Sequence, residues 1–316
     1  MTLSLPPDDA LLRLARAVQA TGYGFTTTTP ATHARVNALP ENALARDLRG
    51  VFGWSRRFRP DVLPPDLFTL MQEAGVAERD GDGWRSRVRL STLDGLLFLH
   101  SAYPTTAADA VFFGPDTYRF ARAVARHLER RRVRVSRAVD VGCGAGPGAV
   151  LLARALPGAE VLAVDINPAA LRSTAVNAQL AGVAVAARRS DLLRDVDGLF
   201  DLVVANPPYL VDPGARAYRH GGGPLGAELS LAIARSACER LAPGGDLLLY
   251  TGAAVVNGED PFRAAATSQL SSAGLAWTYE EVDPDVFGEE IAEGAYREAD
   301  RIAAVVLTAH KNASTR

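Results

Sequence analysis

The sequence is poor in residues that crosslink a chain or hold a metal ion. It contains two cysteines, Cys143 and Cys238, which lie far apart and lack the spacing of metal ligands. Neither a disulfide framework nor a zinc site is therefore predicted, and no metal is expected in the chemistry. Lysine occurs once, at Lys311, and the net charge at pH 7 is −2, so the chain as a whole does not attract nucleic acid or acidic membranes.

Long hydrophobic runs are absent as well. Residues 247–256 are among the longest, and they fall far short of the ~20 apolar residues that cross a bilayer. Residues 1–9 are polar and contain proline, so they lack the apolar core of a secretory signal. We therefore expect a protein of the reducing cytoplasm that does not bind membranes.

The length of the chain predicts two domains. With 316 residues, it exceeds one typical domain, and its hydrophobic content of 48% and charged content of 22% are ordinary for a globular protein. We predict an N-terminal substrate-recognition domain at residues 1–108, a larger domain at residues 109–309 and a frayed tail at residues 310–316.

The N-terminal part is predicted to be an α+β domain. Apolar periodicity and capping residues predict helices at residues 8–22, 41–52 and 66–74. The turn Asp80-Gly81-Asp82-Gly83 joins predicted strands at residues 76–79 and 84–90, and a further strand is predicted at 96–99. This order has the outline of a winged helix, which binds nucleic acid and would carry Arg85, Arg87 and Arg89 on its wing. The alternative is a small recognition or structural domain.

From residue 138 onward, strand and helix patterns alternate. Strands are predicted at residues 138–141, 161–164, 183–187, 199–205, 246–251, 276–282 and 302–308. Helices are predicted at residues 148–156, 168–180, 225–241 and 260–273. The alternation predicts an α/β fold with a mostly parallel seven-stranded sheet and helices on both faces. The last strand is predicted to insert antiparallel at the edge of this sheet.

Four consecutive residues, a tetrad with two prolines, must end the strand that precedes them. Asn206-Pro207-Pro208-Tyr209 follows the predicted strand 199–205, and proline removes ladder donors and fixes φ, so the chain leaves the sheet there. In open α/β sheets, ligands bind at this carboxyl edge. The alternative is an ordinary strand-ending turn, because Asn-Pro and Pro-Pro mark turns in general.

A glycine-rich segment follows the first strand of the alternation. Its glycines, Gly142, Gly144 and Gly146, allow a tight turn and the close approach of a ligand to the backbone. With Ala149, the last two also satisfy the relaxed dinucleotide pattern G-x-G-x-x-A. Asp140 precedes them on the strand. An acidic side chain there suits the charged amino end of an amino-acid-like ligand and disfavours a pyrophosphate.

Two further aspartates follow the next two strands. Asp165 is positioned to accept both hydroxyls of a ribose, a role that fits NAD and S-adenosylmethionine equally. Asp191 is positioned to accept the exocyclic amino group of an adenine. Its alternative role is that of a turn or capping aspartate.

These segments together resemble the class I S-adenosylmethionine-dependent methyltransferases. The tetrad narrows the resemblance to amino methyltransferases, and the HemK-like glutamine N5-methyltransferases and related small-domain enzymes are the most similar group. The segments Gly114-Pro115-Asp116-Thr117 and Gly221-Gly222-Gly223 with Gly226 are similar to parts of that group. The resemblance extends over about residues 111–308 and does not include the N-terminal domain.

The resemblance implies a Rossmann-like methyltransferase domain with S-adenosylmethionine as its cofactor and S-adenosylhomocysteine as its product. The implied cofactor-binding residues are Asp140, Gly142, Gly144, Gly146, Asp165, Ile166, Asp191, Leu192 and Asn206. The implied catalytic residues are Asn206, Pro207 and Tyr209.

The tetrad has groups that suit methyl transfer to a planar NH2. The lone pair of such a nitrogen is delocalised, so hydrogen-bond acceptors must raise its reactivity. The side-chain oxygen of Asn206 and the carbonyl of Pro207 can each accept one N–H, which orients the lone pair and favours charge on nitrogen. The ring of Tyr209 is predicted to stack on the planar acceptor, and residues 211–225 are predicted to form a flap over it.

Three classes of acceptor remain open from the sequence. The resemblance favours a protein glutamine side chain, slightly ahead of a nucleobase amino group in RNA or DNA, which the winged-helix outline favours. A small molecule ranks third. The alternative functions are a nicotinamide-dependent oxidoreductase that uses the same glycine loop, and a non-catalytic nucleic-acid-binding protein that has kept the fold.

Overall fold

A computed structural model describes residues 9–131, 133–216, 218–292 and 294–313. The predicted start of the first helix at Asp8 and the last residues of the predicted tail, 314–316, lie outside the described residues. Within the described ranges, no helix is both long and apolar enough to cross a bilayer. The same ranges contain no cluster of three or more side chains that could hold a metal ion.

The N-terminal part contains four α-helices followed by two β-hairpins. The helices are α1 (Asp9–Ala20), α2 (Pro30–Asn37), α3 (Leu48–Phe52) and α4 (Pro65–Glu73), with short 3-10 helices at Pro40–Asn42 and Pro60–Val62. The first hairpin pairs β1 (Ala77–Asp80) with β2 (Gly83–Ser86), and the second pairs β3 (Val88–Leu93) with β4 (Leu96–Ser101).

Two helices of this part differ from the prediction. The predicted helix 41–52 is correct only over its last five residues, because Pro40–Asn42 forms a 3-10 turn and α3 begins only after Asp47, whose side chain caps it. Helix α2 was not predicted, although its start carries a recognisable signal. Thr29 accepts a hydrogen bond from the first turn, and Pro30 occupies the first helical position, which proline favours.

The predicted wing is also incorrect in part. The predicted strand 84–90 is interrupted, because β2 ends at Ser86 and β3 begins at Val88. Arg85 and Arg87 are exposed, as a nucleic-acid-binding wing would need. Arg89 instead has 4% of its surface exposed, since it points into the domain from β3.

A seven-stranded sheet organises the rest of the chain, as the sequence predicts. Its strands are β5 (Arg137–Val141), β6 (Glu160–Asp165), β7 (Ala186–Arg189), β8 (Phe200–Ala205), β9 (Leu241–Val255), β10 (Ala276–Asp283) and β11 (Arg301–His310). The spatial order is β10-β11-β9-β8-β5-β6-β7. Strands β5 to β9 pair in parallel, and β11 runs antiparallel to both of its neighbours.

The last strand does not lie at the sheet edge, which corrects the prediction. Strand β11 lies between β9 and β10. It is buried over nearly its whole length, whereas β10 carries exposed residues such as Glu280 and Glu281. The apolar strand thus takes the inner position and the polar strand the edge. Lys311 continues the pairing through backbone hydrogen bonds with Gly244 and Gly245, so the tail begins later than residue 310.

Helices cover both faces of the sheet. They are α5 (Pro115–Arg130), α6 (Pro147–Ala155), α7 (Pro168–Leu180), α8 (Glu228–Arg240) and α9 (Pro261–Ser272). Helices α8 and α9 contribute to one apolar cluster with the sheet, and α5, α6 and α7 contribute to the cluster on the other face.

The N-terminal hairpin β3–β4 is joined to the sheet domain through α7. Leu97 and Leu99 of β4 share a core with Val176 and Leu180 of α7. Asn177 accepts a hydrogen bond from the Leu99 amide at 2.8 Å and donates to the Leu99 carbonyl at 2.9 Å. It also donates to the carbonyl of Ala145, inside the glycine-rich loop, at 2.8 Å. One buried amide therefore fixes the N-terminal domain to that loop.

Candidate active site

One cavity at the carboxyl ends of the parallel strands brings together nearly all the predicted site residues. Its lining includes Asp140, Gly142, Gly144, Asp165, Ile166, Asp191, Leu192, Asn206, Pro207 and Tyr209. Gly146 is not part of this lining. It caps α6 with φ of 79°, and a Cβ on it would lie 2.7 Å from Thr174 Cγ2, so it is needed for the turn.

The glycine-rich loop presents bare backbone to the cavity. Gly142 and Gly144 have φ of 70° and 54°, a conformation that favours glycine. A Cβ on either residue would have no atom within 4 Å, so glycine is required there by backbone conformation and not by packing. The Gly142 amide donates to the Val164 carbonyl at 2.9 Å, and the Gly144 amide donates to Asp165 Oδ2 at 3.0 Å.

Asp140 lies at the base of the loop with 2% of its surface exposed. Its Oδ2 accepts a hydrogen bond from the Ala149 amide at 2.9 Å, in the first turn of α6. A Cβ on Gly148 would lie 2.7 Å from the same oxygen, so this glycine gives the carboxylate its space. Burial raises the pKa of Asp140 to about 7, so its carboxyl group becomes negatively charged only near neutral pH.

Asp165 connects the loop to the end of β6. Its Oδ2 accepts from the Gly144 amide at 3.0 Å, and its Oδ1 accepts from the Asn167 amide at 2.9 Å. Each oxygen keeps acceptor capacity beyond this bond. Burial raises the pKa of Asp165. The adjacent Ile166 is 53% exposed, an unusual position for a large apolar residue that suits packing against a flat ligand.

Asp191 is less well fixed than the other two aspartates. It is exposed and forms an ion pair with Arg194, three residues further on. The Arg194 amide also donates to the Asp191 carbonyl at 3.2 Å, as in a turn. Leu192, which follows it with a positive φ of 54°, is half-buried in the cavity lining. The adenine contact and the turn role therefore both stay predictions for Asp191.

The tetrad occupies the end of β8, with Pro207 and Tyr209 buried and Asn206 half-buried. The ring of Tyr209 packs so closely on Gly252 of β9 that a Cβ there would lie 2.3 Å from it. Phe287 meets the same ring edge to face at 5.8 Å. This packing leaves Tyr209 only 7% exposed, so its stacking on an acceptor stays a prediction.

The loop after the tetrad folds back onto it. A Cβ on Gly226 would lie 2.2 Å from the Tyr209 carbonyl oxygen, and a Cβ on Gly221 would lie 2.7 Å from Tyr209 Cα. These two glycines therefore allow the loop to lie directly on the tetrad. His220 accepts a hydrogen bond from the Asp212 amide at 3.2 Å, which gives it a role in holding the loop.

The cavity also contains residues that were not predicted as site residues. They include Pro30, Phe112, Asp116, Thr117, Tyr218 and Phe287, of which Tyr218 lies in the predicted flap. The segment 114–117 gave a signal through its resemblance to HemK-like enzymes, whereas nothing in the sequence marked Pro30 or Phe287. Asp116 is buried and accepts a hydrogen bond from the Tyr250 hydroxyl at 2.7 Å. The rings of Phe112 and Tyr218 lie nearly parallel, at 14°, with centroids 6.2 Å apart.

Comparison with known proteins gives the relationships of this chain. The profile of the methyltransferase small domain matches residues 107–257. The release factor glutamine methyltransferase of Deinococcus radiodurans is 34% identical over 219 residues, which make up 65% of this chain and 73% of that protein. The 4-amino-L-phenylalanine/4-methylamino-L-phenylalanine methyltransferase of Streptomyces pristinaespiralis is 34% identical over 155 residues, 44% of this chain and 52% of that protein.

The fold also resembles solved methyltransferase structures. The 16S rRNA N2 G1207 methyltransferase of T. thermophilus, in complex with AdoMet and guanosine, superposes with a TM-score of 0.49. The two sequences are 20% identical, and the superposition covers 81% of this chain and 64% of the T. thermophilus chain.

The Deinococcus enzyme establishes the family of this chain, because 73% of its residues align with the chain. The predicted methyltransferase activity is confirmed. Neither the alternative of an oxidoreductase nor that of a non-catalytic protein is confirmed. The chain belongs to the HemK-like group of small-domain class I methyltransferases, which are enzymes that use S-adenosylmethionine.

Proposed function

We propose that this enzyme methylates the side-chain amide nitrogen of a glutamine in a protein. The observation that supports this proposal most is the position of Asn206-Pro207-Pro208-Tyr209, which lines the same cavity as the glycine-rich loop and Asp165. A cofactor held by the loop and a planar nitrogen held by the tetrad would therefore meet in one space.

The residues present fit S-adenosylmethionine. When bound, it supplies a methyl group on a positively charged sulfur. We assign its amino-acid end to the loop backbone at Gly142 and Gly144 and to Asp140, whose negative charge complements an ammonium group. We assign its ribose to Asp165, whose two oxygens keep acceptor capacity, and its adenine to Ile166 and Leu192.

The tetrad activates the acceptor nitrogen. The Asn206 side-chain oxygen and the Pro207 carbonyl each accept one N–H of the amide, which orients the lone pair toward the methyl carbon. A carbon–nitrogen bond forms as the carbon–sulfur bond breaks, and the nitrogen then loses one proton to solvent. Pro208 and the contact between Tyr209 and Gly252 keep these acceptors in place, so they need no reorganisation during the reaction.

A protein acceptor is favoured over a nucleic acid on two grounds. The Deinococcus relative, at 34% identity, is a release factor glutamine methyltransferase by name. The surface predicted to contact nucleic acid is weaker than the sequence suggested, because Arg89 is buried and Arg85 pairs with Asp80.

A labelling experiment tests this proposal. Purified enzyme and radiolabelled S-adenosylmethionine are added to cell extract, and the product is digested with protease or nuclease. We expect protease-sensitive label, and a mass increase of one methyl group on a glutamine. The Asn206→Ala variant should lose the transfer while it still binds S-adenosylhomocysteine. Label that is sensitive only to nuclease would refute the glutamine acceptor.

A further inference from the structure

The N-terminal domain contains one arginine whose charge is buried without an acidic partner. Arg89 on β3 is 4% exposed, and no described residue accepts a hydrogen bond from its Nε or Nη2. Its guanidinium carbon lies 5.4 Å from the centre of the Phe25 ring, a cation–π contact that leaves these N–H groups without acceptors. Burying an unpaired charge is costly, so this arrangement calls for a functional explanation.

Other unpaired polar atoms lie in the same region. Among the described residues, five buried side-chain atoms have no hydrogen-bond partner: Thr28 Oγ1, His33 Nε2, Arg89 Nε, Arg89 Nη2 and the Tyr209 hydroxyl. The last belongs to the methyl-transfer cavity, and the other four belong to the N-terminal domain. Such atoms are rare in folded proteins and concentrate where a ligand binds or a reaction occurs.

Contacts through intervening residues connect the segments that carry these atoms. Ser91 follows Arg89 by two positions on β3, on the same side of the strand. Its Oγ lies 2.6 Å from Thr27 Oγ1, which places the chain segment that carries Thr28 beside β3. The Arg89 guanidinium lies over the ring of Phe25, Phe25 contacts Trp54, and Trp54 contacts His33, so Arg89 and His33 belong to one aromatic cluster.

His33 can provide a hydrogen-bond donor in this region. Its Nδ1 lies 3.4 Å from Asn37 Nδ2, which donates, and we assign to His33 the tautomer in which Nδ1 accepts this bond and Nε2 carries the proton. The amide of Asn37 is held in this orientation, because its Oδ1 accepts from Arg56 Nε at 2.8 Å. Burial, together with the charge of Arg89, lowers the pKa of His33 to about 4, so the ring is neutral and adds no charge.

The surroundings of the guanidinium are aromatic. The Tyr23 hydroxyl donates to the carbonyl of Leu90, the residue after Arg89, at 3.0 Å, and His100 of β4 lies opposite Arg89 in the register of the hairpin. The ring of Trp54 lies 5.3 Å from Phe25 and 5.5 Å from His33. Tyr103 lies 4.2 Å from His33 and is half-buried. The pocket thus has several donors, one positive charge and apolar walls.

The unpaired atoms define the chemistry of a ligand. Nε and Nη2 form one edge of the guanidinium, and this edge donates two parallel hydrogen bonds to a carboxylate. His33 Nε2 and the Thr28 hydroxyl can donate further bonds. A single positive charge balances the single negative charge of a carboxylate, whereas a phosphate dianion would leave a buried negative charge unbalanced.

We propose that Arg89, His33 and Thr28 form a carboxylate-binding pocket in the N-terminal domain. Its nitrogens are covered in this structure, so a ligand enters when a wall side chain such as Tyr103 turns aside. Pro30 lines the methyl-transfer cavity from the first turn of the helix that carries His33. The pocket and the methyl-transfer cavity are therefore connected through this helix, and the bound carboxylate belongs either to the acceptor or to a free small molecule.

Thermal unfolding tests the pocket without knowledge of the natural ligand. Sodium acetate is titrated against sodium chloride at equal ionic strength, with Arg89→Met as the test variant. Arg87→Met is the matched control, because Arg87 is exposed on the same hairpin. We expect acetate to raise the Tm of the wild type and of Arg87→Met in a saturable manner, and to leave Arg89→Met unchanged. Without acetate, Arg89→Met should unfold at a higher temperature than the wild type, because it removes an unpaired buried charge.

Two results would overturn the pocket: acetate acting no better than chloride, or an acetate response that Arg89→Met retains. If Arg89→Met does not fold, line broadening of 13C-labelled acetate is measured with the wild type and Thr28→Val. We then expect broadening by the wild type that is reduced in Thr28→Val, and no broadening by the wild type would refute the proposal.

Enzyme kinetics then distinguish the two sources of the carboxylate. If it belongs to the acceptor, acetate competes with the acceptor, and Arg89→Met raises the acceptor KM without changing the KM for S-adenosylmethionine. If it belongs to a free molecule, acetate leaves the acceptor KM unchanged while it still raises the Tm. The pocket does not depend on a glutamine acceptor, so a failure of either proposal leaves the other intact.

Discussion

Replacing Gly252 by alanine tests whether the packing of Tyr209 matters for methyl transfer. The new Cβ would lie 2.3 Å and 2.4 Å from two ring atoms of Tyr209, about 1 Å inside ordinary van der Waals contact, which begins at 3.4 Å. Gly252 has no positive φ, so alanine fits its backbone and the clash acts on the ring alone. The ring and the tetrad must therefore shift by about 1 Å, at a cost of about 1–3 kcal/mol in stability.

A shift of this size near the acceptor should lower kcat by about 100-fold. The glycine loop and Asp165 lie on other strands, so the affinity for S-adenosylhomocysteine should stay close to that of the wild type. Single-turnover methyl transfer and calorimetric titration measure the two quantities. Gly158→Ala is the control, since its Cβ would meet nothing closer than an Arg134 nitrogen at 3.9 Å. A Gly252→Ala enzyme that is destabilised but keeps its kcat would refute the role of the Tyr209 position.

Three further outcomes follow from the cavity. Asp165→Ala should weaken S-adenosylhomocysteine binding by ~1.5–3 kcal/mol, measured by calorimetry, because it removes hydrogen bonds to a charged acceptor. Asn206→Ala should lower kcat by about 100- to 1,000-fold with little change in cofactor affinity, and a normal kcat would exclude its role as an acceptor of the amide N–H. The pKa of Asp140 is raised to about 7, so its carboxyl gains charge as the pH rises through that value. The affinity for the ammonium end of the cofactor should therefore increase from about pH 6 to 8. Asp140→Asn should abolish this pH dependence, and an unchanged dependence would assign it to another group.

The sequence alone determined the sheet and the approximate position of the site. The alternation of apolar strands and helices after residue 138 has few other solutions, and parallel strands must have their carboxyl ends at one edge. For that reason Asp140, Asp165 and Asn206, which each lie at the end of a strand, could be expected to meet. The cavity that they line together agrees with this expectation.

The sequence was less informative where the outcome depended on distant contacts. Strand β11 was placed at the edge because its neighbours were not known, and only the exposed side chains of β10 show which strand is inside. The alternating arginines at 85, 87 and 89 appeared to form one basic surface. The fold instead buries Arg89, because the strand breaks at Arg87 and β3 packs against other parts of the domain.

The segments 114–117 and 221–226 were recognised from resemblance, but their roles needed the fold. Tertiary structure alone brings Gly226 against Tyr209, and it brings Asn177 between the N-terminal hairpin and the glycine loop. The same holds for the pocket around Arg89, whose residues Thr28 and His33 are more than fifty positions away in the chain. Local patterns specify strand ends and turns, because these depend on neighbouring residues. Burial of a charge or of a glycine depends on what packs against it, and a sequence pattern does not carry that information.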